Sequence, residues 1–350
     1  MRILQLGAYP PPYGGVQTNI ASLRSYLRAR GIVCDVVNLT RRGALWARPQ
    51  HDGVYYPSTA LGVVGRLMGR YDILHLHVGG GFSLQLLGLG LMCAWAPGKR
   101  SVLTFHSGGY PGSPQGQTAR PATLRGFVLR QFDRVIGVNA EIAELFGRFG
   151  VEASRVRCIP PHWLPPELPR DPLSPELERF YGSHNPLLLT VGLLEPEYDL
   201  PLQIRSLGRW RQRHPEAGLV IIGSGSRENQ LRLQIESAAW REHILLCGDV
   251  PHPVTLRALA GADVLLRTTL YDGDAISVRE ALHLGTPVVA TDNGMRPAGT
   301  RVVPLGDEPA LDMALEECLR LERQPFQPQA GGDENLARVL GVYEELPRRG

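Results

Sequence analysis

Short apolar runs without hydrophobic–polar alternation recur along the chain, each followed by a longer segment with apolar positions at helical spacing. "RILQL" (2–6), "VCDVVNL" (33–39), "DILHLH" (72–77), "SVLTFH" (101–106), "RVIGV" (134–138) and "RVRCI" (155–159) predict strands. "QTNIASLRSYLRAR" (17–30) and "NAEIAELFGRFG" (139–150) predict amphipathic helices. Strands apolar on both faces and separated by helices predict a parallel sheet covered on both sides. The rhythm breaks at "IPPHWLPPELPRDPLSPEL" (159–177), too crowded with proline for a regular helix or a central strand. A second series follows: "PLLLTVG" (186–192), "GLVIIGSG" (218–225), "ILLCGDV" (244–250), "DVLLRT" (263–268), "PVVATD" (287–292) and "RVVPL" (301–305). The expectation is an α/β chain of two doubly wound, Rossmann-like domains, spanning 1–165 and 166–330. A second proline-rich patch, "RQPFQPQAGG" (323–332), precedes "DENLARVLGVYEEL" (333–346). The apolar Leu336, Val339, Leu340, Val342 and Tyr343 of that segment suit a helix docking on another surface.

At 350 residues the chain exceeds a comfortable single core. Hydrophobic residues at 43% and charged residues at 20% match a soluble globular protein, and a net charge of +3 gives no bias toward nucleic acid. Among 37 basic residues only Lys99 is a lysine, which nearly excludes Schiff-base chemistry. A phosphate clamp would have to use Arg, His or backbone N–H groups. The five cysteines (Cys34, Cys93, Cys158, Cys247, Cys318) form no Cys-x-x-Cys pair, so neither a zinc site nor a disulfide framework is expected. A reducing cytosol is the simplest setting. No signal peptide is expected at "MRILQLG". "GFSLQLLGLGLMCAWAPG" (81–98) falls short of the ~20 apolar residues needed to span a bilayer and is expected to be a buried helix.

In doubly wound sheets ligands sit beyond the carboxyl ends of the strands, so the loops there are the places to search. After the first strand, Gly14 and Gly15 precede a helix beginning near Gln17, which suits either an anion at the helix N-terminus or a plain turn. No Gly-x-Gly-x-x-Gly fingerprint is present. "LTFHSGG" puts His106 at a strand end, where it is either structural or functional; His75 and His77 end a neighbouring strand. No His/Cys cluster has metal-ligand spacing, so no metal is expected. In the second half "IIGSGS" brings Gly223 and Ser224, and "CGDVPH" brings Asp249 and Val250, to strand ends suited to close ligand approach. "YDGDAISVRE" offers an anion cradle from the backbone of Gly273, Asp274, Ala275, Ile276 and Ser277 at a helix start. Asp272 and Glu280 flank it, and carboxylates beside a phosphate are better placed to accept from sugar and ribose hydroxyls. Ser277 and Glu280 also read Ser-x-x-Glu, the spacing of a helix capping box.

"YGGV", "TFHSGG", "VGLLEPEYD", "VIIGSGS" and the acid-x7-acid motif running into "EALHLGTPVVATD" together resemble the family 4 glycosyltransferases, over essentially the whole chain. The resemblance implies the GT-B arrangement: two Rossmann-like domains facing a cleft, with the terminal helix (331–350) crossing back to the first. It implies a metal-independent, retaining enzyme without a cofactor, taking a nucleotide-diphosphate sugar as donor on the second domain. The acceptor, on the first domain, would be a glycan or lipid-linked saccharide. By position, Glu280 matches the acid that holds the donor ribose, Asp272 the acid on the transferred sugar, and His106 a histidine near the reacting sugar. Gly14 and Gly15 match the loop near the diphosphate. The family's Arg and Lys diphosphate clamp is missing, its places held by Leu193 and Tyr198. Arg267 and Arg279 are the candidate replacements, or solvated surface arginines. A catalytically silent nucleotide-sugar-binding subunit and a GT-B epimerase are the alternatives. The apolar 82–95 segment and the Arg-rich helices permit contact with a membrane surface. The expected setting is cytoplasmic, in glycan, lipopolysaccharide or exopolysaccharide assembly.

Overall fold

The structure, a computed structural model, describes residues 1–11, 13–40, 52–57, 60–161, 164, 167–271, 275–294, 296–321, 326 and 332–347. The chain divides into two compact units. One comprises Met1–Pro10, Gly15–Trp163 and Asp333–Gly350, the other Pro11–Gly14 and Leu164–Gly332.

The first unit is built on seven parallel strands: β1 (Arg2–Gly7), β2 (Val33–Asn38), β3 (Val54–Tyr55), β4 (Ile73–Val78), β5 (Arg100–Phe105), β6 (Arg134–Gly137) and β7 (Val156–Cys158). Their order is β3-β2-β1-β4-β5-β6-β7, so the winding reverses between β1 and β4. Side chains along β1 alternate between two apolar layers. Leu4 and Leu6 join Leu74, Leu76, Phe105 and Phe146 on one face. Ile3 joins Leu23, Leu27, Ile73 and Val102 on the other. Double-sided burial of this kind is why these strands read as continuous apolar runs. The helix Glu334–Glu344 completes the second layer with Leu336, Val339, Val342 and Tyr343, all buried. Each such side chain gains ~1.5–3 kcal/mol on leaving water.

The second unit carries six parallel strands: β8 (Leu187–Val191), β9 (Gly218–Ile222), β10 (Ile244–Gly248), β11 (Val264–Arg267), β12 (Val288–Thr291) and β13 (Thr300–Val303). Their order, β10-β9-β8-β11-β12-β13, reverses between β8 and β11. A core around the fully buried Trp210, Leu219, Ile221 and Leu311 supports it. Trp210 donates from its indole to Glu316 at 2.9 Å.

One expectation is corrected here, and one element is new. The 81–98 segment forms a helix, Leu84–Ala94, capped by Ser83, but only one face is buried. Leu87, Leu89 and Cys93 point inward, while Leu84 (76% exposed), Met92 and Trp95 (58%) face out. Among the described residues no helix is long and apolar enough to cross a membrane. Strand β3 was unforeseen, because two residues cannot establish a period.

Candidate functional site

In the second unit the winding reversal brings the ends of β8 and β11 side by side. Two buried threonines and a glutamine tie the strand ends together. Gln203 Nε2 donates to Thr268 Oγ1 at 2.9 Å, and Thr190 Oγ1 donates to the Leu266 carbonyl at 3.1 Å. Thr268 Oγ1 donates to the carbonyl of Tyr198 at 3.0 Å, fixing the loop beyond β8. Asp199, next along that loop, takes a left-handed conformation at φ 44°.

On this frame Arg267 is 7% exposed, donating from Nη1 to the Val191 carbonyl at 2.9 Å. Its guanidinium lies over the Tyr198 ring, 4.6 Å from the centroid, within range of a cation–π interaction. The stack needs Gly192. A Cβ there would meet the Tyr198 ring at 2.2 Å and Arg267 Nη1 at 3.0 Å. So the cation offered by β11 rests on the very tyrosine that stands where the family has lysine.

The glycine that follows β9 is equally constrained. Gly223 sits at φ +139°, and a Cβ on it would fall 1.8 Å from the Gly192 carbonyl oxygen. Next to it Ser224 donates to Asp249 at 2.9 Å, and Ser226 donates through both N–H and hydroxyl to Glu195. Val250 is buried, and its carbonyl accepts from Thr255 Oγ1.

The helix Ile276–His283 begins with Ala275 as its cap residue. The Ser277–Glu280 capping box is therefore not formed. Ser277 already lies inside the first turn, its hydroxyl 3.5 Å from the Val191 carbonyl, and Glu280 is turned into the protein. Glu280 is 3% exposed, and its Oε1 lies 2.7 Å from His252 Nε2. Burial pulls the His252 imidazolium down, but the Glu280 carboxylate more than offsets this, and the group ends above the ordinary histidine value. Arg279 is half-buried one position earlier, about 100° around the helix. Asp272, Gly273 and Asp274 lie outside the described residues.

Sequence reasoning missed His252, which "CGDVPH" contains but which only tertiary structure brings to Glu280, 28 positions away. It also missed Arg296, which donates to the Thr291 carbonyl at 2.9 Å and to Thr269 Oγ1 at 2.8 Å, at the ends of β12 and β11. Single polar residues in loops beyond strand ends carry no periodic signal that would have exposed either one.

His106 and Gly15 belong to the first unit. Gly15 is the first residue of the helix Gly15–Ala29 rather than a residue before it. His106 follows β5, its backbone N–H bonded to the Val78 carbonyl. It is half-buried, and its Nε2 lies 3.2 Å from Nδ1 of His77. His77 is 3% exposed, and its Nε2 has no hydrogen-bond partner. Its ring centroid lies 4.0 Å from that of His75, the two planes tilted by 35°, and the His75 nitrogens meet Tyr343 Oη at 2.5 Å and Thr104 Oγ1 at 2.7 Å. Burial pushes His75 and His106 down to about 3 and His77 well below its ordinary value. All three rings are neutral at physiological pH. Among the described residues no three His, Cys, Asp or Glu are grouped to hold a metal ion.

Residues 178–298 match the sequence family "Glycosyl transferases group 1", and residues 13–162 match "Glycosyltransferase Family 4". The chain belongs to the family 4, group 1 glycosyltransferases. Phosphatidyl-myo-inositol mannosyltransferase of Mycobacterium leprae is 27% identical, over 96% of this chain and 94% of its own length. Glycogen synthase of Mycobacterium tuberculosis is 28% identical over 55% of this chain and 46% of its own. Among solved structures, Anabaena HepE in complex with UDP-glucose superposes with a TM-score of 0.73 at 16% identity, covering 99% of this chain and 100% of that one. Sucrose-phosphate synthase of Thermosynechococcus elongatus gives 0.70 at 16%, covering 99% of each. These two share the GT-B fold of this glycosyltransferase.

Proposed function

We propose that this glycosyltransferase moves a hexosyl group from a nucleotide-diphosphate sugar to a lipid-linked or glycan acceptor, with retention and without metal. The observation that carries the reading is Arg267 stacked on Tyr198 at the strand ends of the second unit. A diphosphate there needs cationic partners, and the usual family pair is replaced by Leu193 and Tyr198. Arg267 puts a guanidinium beside the vacated position, and a guanidinium pairs with phosphate oxygens more strongly than a neutral donor does. Arg279 and Arg296 are further cations of the same unit. Charge on the departing diphosphate would be met by arginine and by backbone N–H groups of residues 273–277, in place of what a metal would supply.

Glu280 would accept from the donor ribose through the carboxylate oxygen that His252 does not engage. Asp272 and His106 would contact the transferred sugar. Retention without an assigned nucleophile fits same-face attack. A lipid-linked acceptor is favoured by the similarity to a phosphatidyl-myo-inositol mannosyltransferase over nearly the whole of both chains. The outward apolar face of the helix Leu84–Ala94 suits such an acceptor at a membrane surface.

The test is donor binding. A thermal-shift screen across UDP-, GDP-, ADP- and dTDP-sugars should single out one donor, since ligand at ~100 times its Kd stabilises by ~2.7 kcal/mol. With that donor's nucleoside diphosphate, Arg267→Ala should lose ~1.5–3 kcal/mol of affinity, while affinity for the bare nucleoside barely changes. Equal loss for both ligands would remove Arg267 from the diphosphate.

A further inference from the structure

The first unit holds one buried polar atom whose neighbourhood bears directly on the reaction. His77 Nε2 is enclosed without a partner, while Nδ1 of the same ring lies 3.2 Å from His106 Nε2. Two neutral imidazoles sharing one hydrogen bond have coupled tautomers. If His106 donates from Nε2, its Nδ1 is a bare lone pair, and His77 must then carry its own proton on Nε2. If His77 donates from Nδ1, His106 must carry its proton on Nδ1, and His77 Nε2 is a bare lone pair.

The enclosure of His77 decides between them. The first arrangement buries an N–H with nothing to accept it. The second buries only a lone pair. Orphaned buried N–H groups are the rarer of the two among backbone groups, and the same desolvation argument applies to a ring nitrogen. A third arrangement, with one ring protonated at both nitrogens, is disfavoured because burial holds both rings neutral. The neighbouring His75 ring is saturated by Tyr343 and Thr104 and offers His77 no acceptor.

We propose that His77 is a positioning residue that fixes His106 as the Nδ1–H tautomer, so that His106 offers the sugar a hydrogen-bond donor and not a basic lone pair. His106 Nδ1 is the ring position that remains available, since Nε2 is occupied by His77. The functional half rests on the reading that His106 contacts the transferred sugar. The tautomer itself does not. On this account His106 removes no proton from the acceptor; it stabilises charge developing on a sugar oxygen.

The experiment is long-range ¹H–¹⁵N NMR of ligand-free protein labelled in the histidine rings, with His106→Asn used to assign the His106 signals. Wild type should show His106 protonated at Nδ1 and bare at Nε2. His77→Ala removes the donor and opens His106 Nε2 to water, which can accept, so His106 should shift toward the Nε2–H tautomer that a solvated neutral imidazole favours, with kcat down roughly 10²–10³-fold and KM little changed. His77→Asn places an amide N–H where Nδ1–H was and should hold the wild-type tautomer and most of kcat. Wild-type His106 protonated at Nε2 overturns the proposal, and this spectrum decides the matter even if His77→Ala does not fold. A His106 tautomer unchanged in His77→Ala also overturns it. A tautomer that shifts while kcat stays at the wild-type level overturns the contact with the sugar and leaves the tautomer assignment standing.

Discussion

Acid should unfold the first unit ahead of the second, and the three adjoining histidines set the size of the effect. An ordinary histidine titrates near pH ~6.5, so moving from pH 7.5 to 5.5 stabilises each unfolded-state imidazole by ~1.4 kcal/mol. His75 and His106, pushed down to about 3, and His77, held well below its ordinary value, bind no proton across that window while folded. A depressed histidine therefore contributes stability that is present at high pH and lost as pH falls below the unfolded value. Counting the half-buried His106 at less than full weight, the first unit should lose about 3–4 kcal/mol. His252 has the opposite sign. Its raised value adds stability below pH ~6.5 that fades as pH rises through the folded value, and it belongs to the second unit. His75→Phe isolates the effect. At pH 7.5 it should be destabilised, because Tyr343 Oη and Thr104 Oγ1 lose their partner at ~1–3 kcal/mol each. Its further loss between pH 7.5 and 5.5 should nevertheless be ~1.4 kcal/mol smaller than wild type, about 3–6 °C in melting temperature for a unit of this size. Calorimetry of both proteins at both pH values reads this double difference. An equal acid-induced drop in the two would refute the assignment of the charge-free burial to His75.

Gly223→Ala should be destabilised by about 2–4 kcal/mol or fail to accumulate, because its Cβ would strike the Gly192 carbonyl and its φ disfavours a side chain. A normal melting temperature in that variant would contradict the tight junction of β8 and β9. Turnover should survive excess EDTA. Loss on chelation with rescue by Mg²⁺ or Mn²⁺ would overturn the arginine-and-backbone account of the diphosphate.

The strands were legible because burial on both faces writes an uninterrupted apolar run into the sequence, as in "DILHLH" and "SVLTFH". Their carboxyl ends could be located for the same reason. The side-chain pairings at those ends could not. Arg267 meets Tyr198 because β8 and β11 are neighbours in the sheet, and His252 meets Glu280 across a helix–helix contact. Neither adjacency leaves a trace in local spacing. The Ser277–Glu280 spacing misled because a capping box needs Ser277 outside the helix, and the helix begins one residue before it. The exposed face of Leu84–Ala94 misled in a different way: with Gln85 its one polar side chain, the helix has no polar stripe from which to read its outward side.

The helix Glu334–Glu344 packs on strands whose residues are made at the opposite end of the message. Between the two lie the roughly 170 residues of the second unit. At ~5–20 residues per second, a nascent chain would carry an unfinished first unit for roughly ten to thirty seconds after its sheet has been synthesised. Throughout that interval Leu23 and Leu27 give Ile3, Ile73 and Val102 only part of their cover, and His75 lacks the Tyr343 hydroxyl. The part translated first is thus the last to be sealed, and the second unit can close while the first still waits. Premature termination between residues 332 and 343 would accordingly spare the later unit and strand the earlier one, an inversion of what truncation does to most chains of beads.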